Sequence, residues 1–218
     1  ILLDACRYDH FKQYTSFEGD LSRVVSKGRG SWEFIQENYV GKELHDTVYI
    51  TANPHSERIG QDVFYTVETV LGKWDSDMGT VPPSCMTEAA IEAQETYPNK
   101  RLIIHYMQPH TPHLGEIAQD LETQYVQNQY AQPSDGNDSK TQAEETKIFE
   151  LYKNGQITTA ELRESYLQTL SRVEPHVKDL VEELKGKTVS SADHGENLGE
   201  IQFGMRLTGH GPNSKEVR

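Results

Sequence analysis

Short β-type runs at Ile1–Leu3, Thr47–Thr51, Arg101–Met107 and Thr188–Ala192 alternate with helical segments, and this alternation limits the folds open to the chain. Strands interleaved with helices predict an α/β fold: a mostly parallel central sheet covered on both faces, in three layers. One helix is expected over Trp32–Tyr39, with Ser31 as its N-cap. Another is expected over Thr87–Tyr97, rich in Ala and Glu and stopped by Pro98. The strongest helical signal is Glu161–Leu184, where Leu162, Tyr166, Leu170, Val173, Val177, Leu180, Val181 and Leu184 form an apolar stripe at three- and four-residue steps. Pro175 is expected to kink or split it. Residues 131–146 have almost nothing to bury and read as a surface loop inside a loop-rich excursion over 114–158.

The chain has 218 residues, enough for one sizeable α/β core, and is read as a single domain over 1–218. Its net charge of −13 argues against a nucleic-acid or anionic-membrane partner. An anionic substrate then needs a local positive site, which a bound metal provides. The two cysteines, Cys6 and Cys85, are too few for a disulfide framework and suit a reducing, cytoplasmic setting. No apolar run reaches the roughly 20 residues of a membrane span. The chain begins inside a strand-like run without an initiator Met, so further sequence is expected before it.

In parallel α/β sheets, ligands bind outside the carboxyl ends of the strands. Three predicted strands end there in polar groups: Ile1–Leu3 in Asp4, Arg101–Met107 in His110 and His113, and Thr188–Ala192 in Asp193-His194. An Asp after a strand is most often a turn or cap residue. Hard oxygen ligands beside an imidazole nevertheless make a plausible site for Mn, Mg, Zn or Ca, and such an ion would offset the crowded carboxylates. Glu196 is read as orienting His194 from behind. Asp9 and His10 are assigned to the surface of the first crossover, and His55 to a turn or to the rim.

Three stretches together resemble the sulfatase-like branch of the alkaline phosphatase superfamily. They are Leu2-Leu-Asp4-Ala-Cys-Arg-Tyr-Asp9, His105-Tyr-Met-Gln-Pro-His110-Thr-Pro-His113, and Ala192-Asp-His-Gly-Glu-Asn-Leu-Gly199 followed by Gly209-His210-Gly211. The resemblance spans nearly the whole chain and implies an alkaline-phosphatase-like fold that continues beyond Arg218. It also implies Asp4, Asp193 and His194 as metal ligands, with His110 and His210 reaching substrate oxygens or a second metal.

The family resemblance further implies a nucleophile at a helix N-terminus between the first two strands, within Ser26-Lys-Gly-Arg-Gly-Ser31. Ser31 is preferred, because a hydroxyl at a helix start is exposed, lies in the positive end of the dipole and can be activated by the metal it touches. Ser26 is the reserve. Arg29 and Lys27 are candidate clamps for an anionic group, and His113 a further substrate-binding candidate. The chain lacks the Cys/Ser-x-Pro-x-Arg motif from which most sulfatases make formylglycine. An unmodified serine favours a phosphate over a sulfate ester, on a small-molecule or glycan-linked substrate. Two other readings stay open: a two-metal phosphodiesterase or mutase, which needs extra ligands from His110, His113 or His210, and a non-catalytic binding protein on the same fold.

Overall fold

The computed structural model describes residues 1–121 and 147–210. Five parallel strands form the central sheet: β1 (Leu2–Asp4), β2 (Leu44–Thr51), β3 (Phe64–Thr69), β4 (Arg101–Pro109) and β5 (Ser191–Ala192). Their order is β3-β2-β4-β1-β5. An antiparallel hairpin follows, of β6 (Asn197–Gln202) and β7 (Met205–Gly209). The helices are α1 (Tyr8–Tyr14), α2 (Ser31–Asn38), α3 (Pro83–Thr96), α4 (Lys147–Lys153) and α5 (Thr159–Glu183), with residues 116–121 also helical. The layered α/β arrangement therefore stands, with helices on both sheet faces.

The pleat of β2 sorts the core. Val48 and Ile50 point to one face, where Met86, Ala90 and Ala93 of α3 pack with Leu170, Val173, Val177 and Leu180 of α5. Tyr49 points to the other, against Ile35 of α2, Tyr39 just after it and Phe64 of β3. Burying these large apolar side chains, each contributing roughly 1.5–3 kcal/mol, fixes both helix layers on the sheet. The capping box expected of a strong helix start is present at α5, where Thr158 and Glu161 satisfy each other's backbone N–H groups.

Several expectations need correction. α5 continues through Pro175 and is not split; its buried stripe supplies the packing that outweighs the lost backbone hydrogen bond. Within the loop-rich excursion over 114–158, α4 buries Ile148, Phe149, Leu151 and Tyr152 against Leu162, Tyr166 and Leu198. Residues 131–146 lie outside the described residues. β3 and the β6–β7 hairpin were not anticipated, because neither Phe64–Thr69 nor Asn197–Gly209 alternates cleanly. Both cysteines are free. Among the described residues, no helix is long and apolar enough to cross a membrane.

Candidate metal and catalytic centre

β1, β4 and β5 lie side by side at one edge of the sheet, and their carboxyl ends bring residues from both ends of the sequence together. Asp4 closes β1; beyond it the chain takes a left-handed turn at Ala5 (φ 58), which aims the Ala5 N–H at Asp193 Oδ1, 3.1 Å away. The His194 N–H donates to the same oxygen at 2.8 Å. Asp193 Oδ2 is thereby left facing inward, 3.5 Å from His194 Nε2 and 3.5 Å from His105 Nε2.

Asp4 completes this arrangement. Its Oδ1 lies 3.3 Å from His194 Nε2, while its Oδ2 accepts from Ser31 Oγ at 2.9 Å and from Asn53 Nδ2 at 3.1 Å. Ser31 Oγ is also 3.5 Å from His194 Nε2. Ser31 is the first residue of α2, and the cap position belongs to Gly30, so the hydroxyl does not cap its own helix as expected. It faces the carboxylates instead.

Asp4 Oδ1 and Asp193 Oδ2 are buried without a hydrogen-bond partner. Groups of this kind are expensive to leave unpaired, and here they converge: one ligand atom each from Asp4, Asp193 and His194 fall within 4.8 Å of one another. Two carboxylates this close demand positive charge between them. Burial works against the His194 cation, but Asp193 and Asp4 overcome it and raise the imidazole to about 10. Burial likewise opposes the charged form of Asp4, yet His110, His194 and His105 hold it well below the ordinary carboxylate range. The donor set of two carboxylates, an imidazole and a hydroxyl fits a divalent cation.

A second group stands beside the first. His110, Glu196 and His210 also bring one ligand atom each within 4.8 Å of one another. His210 Nε2 is 3.7 Å from Glu196 Oε1, and its ring centroid lies 5.2 Å from that of His110 and 4.3 Å from that of His194. Both carboxylate oxygens of Glu196 are buried without a hydrogen-bond partner. Burial is the main cause that raises the Glu196 carboxyl to about 7. Its expected role behind His194 is not what it does: the His194 Nδ1 partner is the Gly195 carbonyl at 2.7 Å. The Glu196 backbone is held from outside by the Arg7 guanidinium, which donates to its carbonyl at 3.1 Å and pairs with Asp9 and Glu200.

Two other candidates lie elsewhere. Ser26 gives its hydroxyl to the Asp193 carbonyl and lines another cavity, of about 310 Å³, with Cys6 and Val24. His113 is buried beside Phe149 and Tyr166, with Nδ1 2.7 Å from Ser165 Oγ, and does not line the cavity above Ser31. The residue falls short of the rim because the chain turns into the core after His110. Burial pulls His113 down to about 3. An unfolded His titrates near 6.5, so the unfolded chain takes up this proton first, and stability is lost as pH falls from about 6.5 toward 3. Urea unfolding should show His113 costing roughly 2 kcal/mol at pH 5 relative to pH 7. In His113→Leu that part of the slope should vanish; an unchanged slope would contradict the assignment.

Arg29 lines the cavity over Ser31, its backbone N–H and Nε both directed at Glu33 Oε2, at 2.9 and 3.3 Å. Two contributors were missed. His105, in the middle of β4, is fully buried with Nδ1 2.7 Å from the Tyr49 hydroxyl, and a strand histidine in a sequence reads as core. Asn53 follows the last residue of β2 by two positions, and the strand-end rule applied to His55 would have found it. Comparison of the chain with family models, curated proteins and solved structures finds no match, and the site stands on its own geometry.

Proposed function

We propose that the chain is a metal-dependent hydrolase or transferase of phosphate or sulfate esters, with Ser31 as nucleophile and phosphate esters preferred. The observation that carries this reading is the contact of Ser31 Oγ with Asp4 Oδ2, inside a group whose inward carboxylate oxygens have no hydrogen-bond partner. The resemblance of the Asp4, His110 and Asp193-His194 motifs to the sulfatase-like branch of the alkaline phosphatase superfamily points the same way, and the layered parallel sheet is compatible with an alkaline-phosphatase-like fold.

Asp4, Asp193, His194 and Ser31 would hold the divalent cation, which supplies Lewis-acid stabilisation of negative charge and a lowered hydroxyl pKa. Ser31 presents Oγ from the first position of α2, where the helix dipole favours an anion. Its proton is directed at Asp4 Oδ2, and Asn53 fixes that oxygen from the other side. Attack by Oγ on phosphorus in line with the leaving alkoxide gives a covalent ester on Ser31, which water or an acceptor alcohol then releases. His110 and His210 stand over His194 and can orient the ester oxygens. His110, raised against its burial by Asp4 and Glu196, is the candidate donor to the leaving group, whereas burial pulls His210 down to about 3.

The His110, Glu196 and His210 group favours a second reading, a two-metal phosphodiesterase or mutase. Elemental analysis of the purified protein together with hydrolysis of p-nitrophenyl phosphate, its bis-ester and p-nitrophenyl sulfate tests both. One bound ion with monoester turnover supports the first reading, and two ions with diester turnover support the second. A chain that binds no ion and turns over none of the three would overturn both and leave a non-catalytic binding protein.

A further inference from the structure

β4 runs between β1 and β2, and His105 sits where the three strands meet: it pairs in register with Leu2 of β1 and with Thr51 of β2. The two-residue period of a strand puts Tyr49 on the same face as Thr51, and so on the His105 side of the sheet. Its hydroxyl lies 2.7 Å from His105 Nδ1. The other ring nitrogen, Nε2, is directed at the inward carboxylates, 3.5 Å from Asp193 Oδ2 and 3.9 Å from Asp4 Oδ2.

His105, Asp4 and Asp193 are all buried, and Nε2 has no hydrogen-bond partner, as Asp193 Oδ2 and Asp4 Oδ1 have none. Packing alone does not account for the residue, because an apolar side chain of similar volume would fill the strand without leaving a buried nitrogen unpaired. The neighbours decide where its proton sits. A bare Nε2 would turn a lone pair on two carboxylates, whereas a protonated Nε2 turns an N–H on them. With the proton there, Nδ1 of the neutral ring accepts from the Tyr49 hydroxyl, which fixes the orientation of the imidazole.

We infer that His105 is a positioning residue for the carboxylate pair: the Tyr49 hydroxyl sets its ring, and its Nε2–H holds Asp193 and Asp4 facing one another, ready for a divalent cation. This rests on the proposed metal-dependent function and adds to it a residue that acts through the ligands and not on the substrate. Hydrogen-bonding groups behind a ligand set orient its members before the ion arrives.

Calorimetric titration of Mn²⁺ and of Zn²⁺ into the full chain tests it. His105→Leu should weaken binding by roughly tenfold to a hundredfold, and His105→Gln, whose amide offers an N–H near the Nε2 position, should recover most of the loss. Tyr49→Phe should weaken binding by a smaller factor. That loss should vanish in the His105→Leu background, because the phenol acts only through the imidazole. Wild-type affinity in His105→Leu, or a loss in His105→Gln as deep as in His105→Leu, would overturn the positioning role and leave the ester-cleaving function standing. A wild-type chain that binds neither ion would remove both. Should His105→Leu fail to fold, Tyr49→Phe still decides: weakened binding supports the positioning role, and unchanged binding overturns it.

Discussion

Ser31→Ala is expected to lower turnover of p-nitrophenyl phosphate by roughly 10³-fold or more, because it removes the attacking atom and leaves only binding and electrostatic assistance. Metal affinity should fall far less, since Asp4, Asp193 and His194 are untouched. The fold should be unaffected as well: Ser31 does not cap α2, and the helix keeps its Phe34 N–H to Gly30 carbonyl bond. Steady-state kinetics and calorimetric metal titration read the two properties separately. Retained turnover would move the nucleophile away from Ser31. Ser26 would be a poor replacement, because its hydroxyl is already given to the Asp193 carbonyl.

The second large effect concerns the carboxylates. A divalent ion at one hundred times its dissociation constant stabilises a folded protein by about 2.7 kcal/mol, which for a domain of this size raises Tm by roughly 5–10 °C. The wild-type chain should show this rise with Mn²⁺ or Zn²⁺ and lose it with a chelator. Asp193→Asn should abolish the rise. Asparagine retains an acceptor for the Ala5 and His194 N–H groups, so the turn survives while the inward charge disappears. A scanning calorimetry trace of the variant that still responds to metal would remove Asp193 from the ligand set.

The parts of this molecule that were legible in its sequence share a physical cause. Strands β1, β2, β4 and β5 are flanked by turn or helix signals, and α5 carries a stripe long enough to read without ambiguity. Strand ends are where parallel sheets expose polar groups, and Asp4, His110, Asp193 and His194 follow from that rule; His210, after the antiparallel β7, is named only through the family resemblance. Position within a turn is harder. His113 follows His110 by three residues yet lies in the core beside Tyr166, and only the path of the chain decides between them. Ser31 read equally well as a cap, since a hydroxyl at a helix start serves either role until its partner is known. Glu196 reads as orienting His194, but the His194 Nδ1 is taken by the Gly195 carbonyl and the Glu196 carboxylate lies beside His210 instead, which only the fold decides.

The pairing of β1 with β5 has a consequence for how the chain folds. The two strands join residues 189 positions apart, and β5 contributes only Ser191 and Ala192 to the ladder, with the Ile1 amino group reaching the Val189 carbonyl beside it. Closing so long a loop for so few hydrogen bonds is slow relative to the local contacts of α3 with β4 and of β2 with β3. The sheet interior is then expected to form first and its last edge strand to dock late. Because Asp193 and His194 arrive with that strand, an intermediate with nearly native helix content would still have only part of its ligand set, and chemical competence would appear as the final event of folding.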